Sequence, residues 1–249
     1  MKAMILAAGL GTRLQPLTND RPKALVKVGE RTLLEITLSR LRSFGIQDVI
    51  VNVHHFADMI VDYLKANNNF KMRIEVSRED VLLDTGGGLK KAAWFLAESR
   101  EADEPFILHN VDVISTIDLG QMTQFHHERR ALATLAVQER ETHRYLLFDE
   151  QHRLCGRRTG QGGPLDLVLP GQRQVHASAF SGVHVISPRI FSMMTEQGAF
   201  SIIACYLRVA AKGEKIMSFR ADGYYWRDLG RPENLAQAEQ DLNNNVLLQ

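Results

Sequence analysis

A short apolar run, Met4-Ile5-Leu6-Ala7, breaks at Ala8-Gly9-Leu10-Gly11-Thr12-Arg13, and this junction limits the fold more than any other stretch. The run reads as a buried first strand. Glycines just after a strand let the backbone come close to a ligand, and their N–H groups can face a phosphate. Arg13 and Lys23 place two cations in the same loop, which makes it a polyphosphate cradle by composition. Two common phosphate loops do not fit. The Walker loop needs G-x-x-x-x-G-K-[ST], a spacing that Gly9 and Gly11 do not meet. The dinucleotide fingerprint needs G-x-G-x-x-G, and its third position is Leu14. Pro16 and Pro22 argue against a helix that starts directly at the turn. What remains is a long, cationic phosphate loop of a third kind, set against an ordinary strand-to-helix turn with stray surface charges.

The whole string is more specific than its glycines. LAAGLGTRLQPLTNDRPKALVKVG resembles the signature of the sugar-1-phosphate nucleotidyltransferases, the enzymes that make nucleotide-activated sugars. That pattern, roughly G-x-G-T-R-L-x-P-L-T, a short gap and P-K-x-L, is met by Gly9, Gly11, Thr12, Arg13, Leu14, Pro16, Leu17, Thr18, Pro22, Lys23 and Leu25. The resemblance implies an α/β, Rossmann-like three-layer sandwich with a mostly parallel central sheet. It implies condensation of an NTP with a sugar-1-phosphate to an NDP-sugar and pyrophosphate, with Mg²⁺ as cofactor. It also implies roles: Arg13 and Lys23 as the catalytic cations, with Leu6, Ala8, Gly9, Gly11 and Thr12 around the nucleotide.

Composition sets the outer limits. The 249 residues are 45% hydrophobic and 24% charged, which suits one large α/β domain or two small ones. A net charge of +1 gives no global field toward nucleic acid or membrane, so any phosphate site is local. Cys155 and Cys205 lie far apart and fit neither a disulfide framework nor a metal knuckle; reduced thiols in a cytoplasmic protein are the expectation. The amino-terminal apolar run is too short for a signal peptide or a membrane span.

Along the chain, Thr32 caps a helix whose stripe is Leu33, Leu34, Ile36, Leu38, Leu41 and Phe44, with Gly45 ending it. Asp48 to Val53 is the second strand, Phe56 to Ala66 a helix and Met72 to Val76 a third strand. This β-α-β-α-β order predicts a parallel sheet, with ligands at the carboxyl ends of its strands. His54 and His55 point to opposite faces, so one metal rarely takes both. Three glycines, Gly86 to Gly88, precede a helix expected over Leu89 to Glu98. A backbone without side chains can lie flat against a planar base. The family resemblance places base and ribose at Thr85, Gly86, Gly87 and Gly88. A buried strand, Pro105 to His109, delivers Asn110-Val111-Asp112. A carboxylate there sits where Mg²⁺ meets phosphates. The family pattern is N-G-D, so Asp112 matches the metal ligand while Val111 replaces a glycine.

Helix Asp118 to Arg129 leads to strand Ala131 to Gln138, then to a hairpin around Glu150-Gln151 and an irregular, glycine-rich flap expected from Gly156 to Gln174. Arg140, His143 and Arg144 are cationic candidates for the sugar phosphate, with exposed loop charge as the plainer reading of each. Ser178 to Ile186 is strand-like and resembles the family's F-S/T-G-I segment, so the resemblance makes Ser181 and Gly182 sugar-phosphate contacts, together with Asn110 of the earlier N-G-D-like stretch. A helix is expected from Phe200 to Ala211, with Ser201 where relatives often have lysine. Trp226-Arg227-Asp228-Leu229-Gly230-Arg231-Pro232-Glu233 resembles W-x-D-I/V-G-T-P-E, which makes Asp228 the second metal ligand by resemblance and Arg231 an added cation. Pro232 opens the last helix, and residues 243–249 form a tail.

The expectation is one nucleotidyltransferase domain over 1–249: a nucleotide part at 1–130 with 215–249, and a sugar part at 131–214. Its partners are the two substrates, with no nucleic acid and no membrane, and it is a monomer or small homo-oligomer. UTP is preferred as donor. The alternatives are a GTP-dependent mannose-1-phosphate guanylyltransferase, a phosphocholine-type cytidylyltransferase and a non-catalytic sugar-nucleotide-binding protein.

Overall fold

Met4 points to one side of the first strand, while Ala3 and Ile5 point to the other, and all three are fully buried. A strand covered on both faces needs helices on both sides of its sheet. The computed structural model, which describes residues 1–98, 103–169 and 174–243, has that arrangement. In chain order the elements of the first half are β1 (Lys2–Leu6), β2 (Lys27–Val28), β3 (Arg31–Thr32), α1 (Leu33–Ser43), β4 (Asp48–Val53), α2 (Ala57–Ala66), β5 (Arg73–Arg78), α3 (Asp84–Lys91), α4 (Ala93–Leu96), β6 (Phe106–Asn110), β7 (Val113–Ser115) and α5 (Leu119–Arg129). The second half adds β8 (Ala133–Gln138), β9 (Arg144–Phe148), β10 (Leu154–Thr159), β11 (Leu165–Leu167), β12 (His176–Ile186), α6 (Ile190–Met193), α7 (Ile202–Ala210), β13 (Ile216–Arg220), β14 (Trp226–Asp228) and α8 (Pro232–Asn243).

The main sheet runs β11-β10-β9-β12-β6-β1-β4-β5, with β8 joining β12 to β13. Strands β6, β1, β4 and β5 are parallel to one another. Beyond β6 the sheet continues antiparallel through β12, β9, β10 and β11. One apolar layer gathers Ala3, Ile5, Val49, Val51 and Ile107 under α1, α2, α5 and α8. The other gathers Met4, Ile50, Phe106 and Leu108 under α3, α4 and α7. This is a three-layer α/β architecture.

Several expected boundaries hold for the stated reasons. Thr32 Oγ1 accepts the Glu35 N–H at 3.1 Å, and Gly45 takes a left-handed φ of 75° just past α1. Two expectations are corrected. Gly86, Gly87 and Gly88 do not precede a helix; they lie inside α3, which starts at Asp84 and is followed by α4 rather than running on to Glu98. The stretch from Gly156 is not irregular throughout. Strand β10 runs to Thr159 and pairs with β11, so the hairpin is longer and carries a third strand. Residues 170–173 of that stretch, and 244–249 of the expected tail, lie outside the described residues.

Candidate active site

The carboxyl ends of the four parallel strands open on one cavity of about 470 Å³. Each strand contributes there: Leu6 from β1, Asn52 from β4, Glu79 just past β5 and Asn110 from β6. The loop after β1 supplies Ala8, Gly9, Gly11, Thr12, Arg13 and Lys23 to the same walls. Gly11 has a φ of 68°, and its carbonyl accepts from Leu14 N and from Thr18 Oγ1, both at 2.8 Å. A left-handed residue is needed there to fold the loop back so that Arg13 and Lys23 face one space. No helix starts at the turn beyond two short 3₁₀ turns, Thr12–Leu14 and Lys23–Leu25, in keeping with the two prolines.

Lys23 is 9% exposed and forms an ion pair with Asp112 at the cavity floor. Asp112 stands two residues past the end of β6. Strand β14 then pairs with β7, setting Asp228 opposite Val113, and Leu229 N donates to Asp112 O at 2.7 Å. Two carboxylates distant in sequence are thereby brought to one edge. Asp228 Oδ1 accepts the Gly230 N–H at 2.5 Å. Arg13 reaches the same point: a Cβ on Gly230 would lie 2.6 Å from Asp228 Oδ1 and 2.7 Å from Arg13 Nη2. Asp228 and Arg13 thus both pack against Gly230, where there is no room for a side chain. Asp112 and Asp228 offer hard oxygen donors. Among the described residues no group of three or more His, Cys, Asp or Glu is placed to hold a metal by itself. Two protein carboxylates with the remaining positions filled by phosphate and water are what Mg²⁺ accepts.

The other expected contacts divide. Thr85 lines the cavity beside Leu82 and Asp84. Gly86, Gly87 and Gly88 are buried behind it and are not among the lining residues. A Cβ on Gly86 would strike the Phe200 ring, and one on Gly87 the Gly198 carbonyl. Gly86 N and Gly87 N both donate to Phe200 O. These glycines admit close helix packing rather than offer an open platform. Asn110 and Val111 line the cavity, and Val111 is buried with its N–H on Leu6 O at 3.2 Å. Ser181 and Gly182 lie behind that wall. Ser181 is fully buried and its carbonyl accepts Trp226 Nε1 at 2.7 Å. Gly182, at φ 76°, packs so closely that a Cβ would lie 2.9 Å from Asn110 Nδ2.

Arg140 is not a stray loop charge. Its guanidinium lies 3.8 Å from the Trp226 ring centroid and donates to Phe180 O at 2.7 Å. Burial pulls its pKa below the ordinary value, and the Asp228 carboxylate works in the opposite direction. Ser201, where a lysine was looked for, caps α7 by accepting the Ile203 N–H at 3.3 Å. His54 Nδ1 meets Glu79 O at 2.8 Å while His55 is exposed, as two histidines on opposite faces should be. Behind the site, burial pushes His109 down to about 4 and His184 to about 3. Asn52, Glu79, Leu82 and Asp84 were not given roles by sequence, and Gly230 entered only as a motif position. Of the four, Asn52 carried a signal, as the one polar residue inside the run Val49 to Val53.

The family profile described as nucleotidyl transferase matches residues 2–149. The N-acetylmuramate alpha-1-phosphate uridylyltransferase of Caulobacter vibrioides is 34% identical over 251 residues, covering 96% of both chains. The mannose-1-phosphate guanyltransferase of Yarrowia lipolytica is 28% identical, over 94% of this chain and 62% of its own. A UDP-glucose pyrophosphorylase complexed with UDP-glucose superposes with a TM-score of 0.78 at 18% identity over 98% of each chain, a likeness of fold.

Proposed function

The chain belongs to the nucleotidyl transferase family, and we propose that it condenses an NTP with a sugar-1-phosphate to give an NDP-sugar and pyrophosphate. One observation carries this reading beyond family membership. A single cavity gathers the glycine loop, Arg13, Lys23 and Asp112, and Arg13 and Asp228 both pack on Gly230 in its wall. A polyanion of the length of a triphosphate meets donors and cations along that wall.

In the proposed reaction an oxygen of the sugar phosphate attacks the α-phosphorus of the NTP. The new P–O bond forms in line with the one that breaks, and pyrophosphate leaves with that electron pair. No protein nucleophile takes part, so the protein contributes by positioning and by charge. The N–H groups of the Gly9 to Thr12 segment, with the Thr12 hydroxyl, hold the triphosphate. Arg13 meets the departing pyrophosphate, and Lys23 neutralises charge on the α-phosphate. Leu6, Ala8 and Thr85 bound the nucleoside, and Asn110 meets the acceptor phosphate. Ser181, Gly182 and Gly86 to Gly88 support these contacts from behind the walls. Asp112 and Asp228 would hold Mg²⁺, which when bound offsets phosphate charge and polarises the α-phosphorus.

Residues 131–214 form the acceptor side and 1–130 with 215–249 the nucleotide side. UTP is the proposed donor, because the relative matched over 96% of both lengths is a uridylyltransferase, whereas the guanyltransferase extends well beyond this chain. A soluble, cytoplasmic monomer or small homo-oligomer completes the reading; among the described residues no helix is long and apolar enough to cross a membrane. The test is product analysis by mass spectrometry after incubation with Mg²⁺, each of four NTPs and a panel of sugar-1-phosphates and phosphocholine. The expected product is a UDP-sugar. A GDP-sugar or a cytidylyl-choline product would replace the donor or acceptor assignment, and no product from any pair would sink the reading.

A further inference from the structure

Two buried polar side chains in the cavity wall form a chain of fixed polarity. Ala7 N donates to Asn52 Oδ1 at 2.7 Å. Asn52 Nδ2 donates to Glu79 Oε1 at 2.7 Å, and Leu83 N donates to Glu79 Oε2 at 2.9 Å. Asn52 is 2% exposed and Glu79 5%. The chain starts at the end of β1, where the phosphate loop leaves. It crosses β4 and the end of β5, and finishes at the residue before α3, next to Leu82, Asp84 and Thr85 on the cavity wall. Gly88 packs onto it from α3, where a Cβ would lie 2.7 Å from Glu79 Oε1 and 2.8 Å from Asn52 Nδ2.

We propose that Asn52 and Glu79 are positioning residues that set the nucleoside-binding segment against the phosphate loop. This rests on the reading of the cavity as a nucleotide site. The physical reason is the direction of each hydrogen bond. Ala7 N–H fixes which way the Asn52 amide faces, so its NH₂ must point at Glu79. Glu79 then receives donors on both oxygens, which a carboxylate satisfies and an amide of the same shape does not. With Glu79→Gln, one amide NH₂ faces another. With Asn52→Asp, two carboxylates face each other. A buried group left without its partner is costly, so the segment moves to relieve it. The double variant N52D/E79Q restores the pattern in reverse. The carboxylate at position 52 accepts from Ala7 N and from the new amide at position 79, whose carbonyl accepts Leu83 N.

The experiment measures four proteins: wild type, Asn52→Asp, Glu79→Gln and the double variant. Calorimetry gives the Kd for UTP and GTP with Mg²⁺, and steady-state kinetics give KM for each substrate. Each single variant is expected to weaken NTP binding by about tenfold to a hundredfold, the range that a buried donor or acceptor left without its partner brings. The double variant is expected to return to within about threefold of wild type, with acceptor KM within about twofold in all four. Single variants that bind like wild type, a double variant as weak as the weaker single, or an acceptor KM rising in step with that of the NTP would each overturn the proposal. Should Glu79→Gln alone fail to fold, a folded double variant with near-native affinity supports the relay, and one without it counts against it. Wild type that binds neither NTP brings down the nucleotide reading itself, and the relay's role with it.

Discussion

Gly230→Ala should cost activity out of proportion to stability. The added methyl would sit 2.6 Å from Asp228 Oδ1 and 2.7 Å from Arg13 Nη2, whereas ordinary contact begins at 3.4 Å. Each neighbour must therefore give way by about 0.7–0.8 Å if the backbone stays put. Arg13 is an exposed, flexible side chain and yields at little cost to folding. Asp228 is short and held by the Gly230 N–H, so its carboxylate is pushed from its native position. A misplacement approaching 1 Å at a reacting centre costs about 10²-fold, or roughly 2.7 kcal/mol of barrier. The expected result is a kcat/KM lower by about that factor with a melting temperature within about 3 °C of wild type. Gly223→Ala is the control, since a Cβ there meets nothing within 4 Å. Pyrophosphate release measured on the three purified proteins decides the matter. A Gly230→Ala protein with wild-type turnover would refute the claim that the reaction depends on where Arg13 and Asp228 sit around Gly230.

Three further outcomes are expected. Lys23→Met removes the cation paired with Asp112, and turnover should fall by about 10²–10³, as for loss of one charge-stabilising contact; a loss below fivefold in the same assay would remove Lys23 from the machinery. Thr32→Ala deletes the α1 cap and should lower the unfolding free energy by about 1 kcal/mol in urea titrations, with kcat unchanged. Stability should also fall with acid, because burial holds His109 and His126 at about 4 and His184 at about 3. These groups stay neutral in the fold while the unfolded chain takes up protons below about 6.5. The stabilisation is thus present above that pH and lost toward 4, at up to about 1.4 kcal/mol per pH unit for each proton. Urea midpoints that stay flat from pH 7 to 5 would contradict this.

The elements legible in sequence were those fixed by local chemistry. Asp48 to Val53 was read residue for residue because an apolar run of that length, buried on both faces, has no competing helical period. The cationic glycine loop was legible as well, since Gly9, Gly11, Arg13 and Lys23, which line one cavity, stand within fifteen residues of one another. Gly86 to Gly88 misled because glycine disfavours helix on its own. These helical positions need glycine here because Phe200, Gly198 and the Asn52–Glu79 pair fill the places their side chains would take. That packing is set by partners far along the chain. The same holds for Asn52, whose bond to Ala7 spans 45 residues, and for Gly230, whose meaning depends on Arg13. Arg140 looked like loop charge because nothing local reveals Trp226 beneath it.

The most direct test of the central claim is Mg²⁺-dependent pyrophosphate release with UTP and a panel of sugar-1-phosphates, run beside Asp112→Asn and Asp228→Asn. Release from the wild type that requires both substrates, and falls by about 10² or more in each variant, is the predicted result. Undiminished release by either variant, or none from the wild type with any NTP, would contradict it.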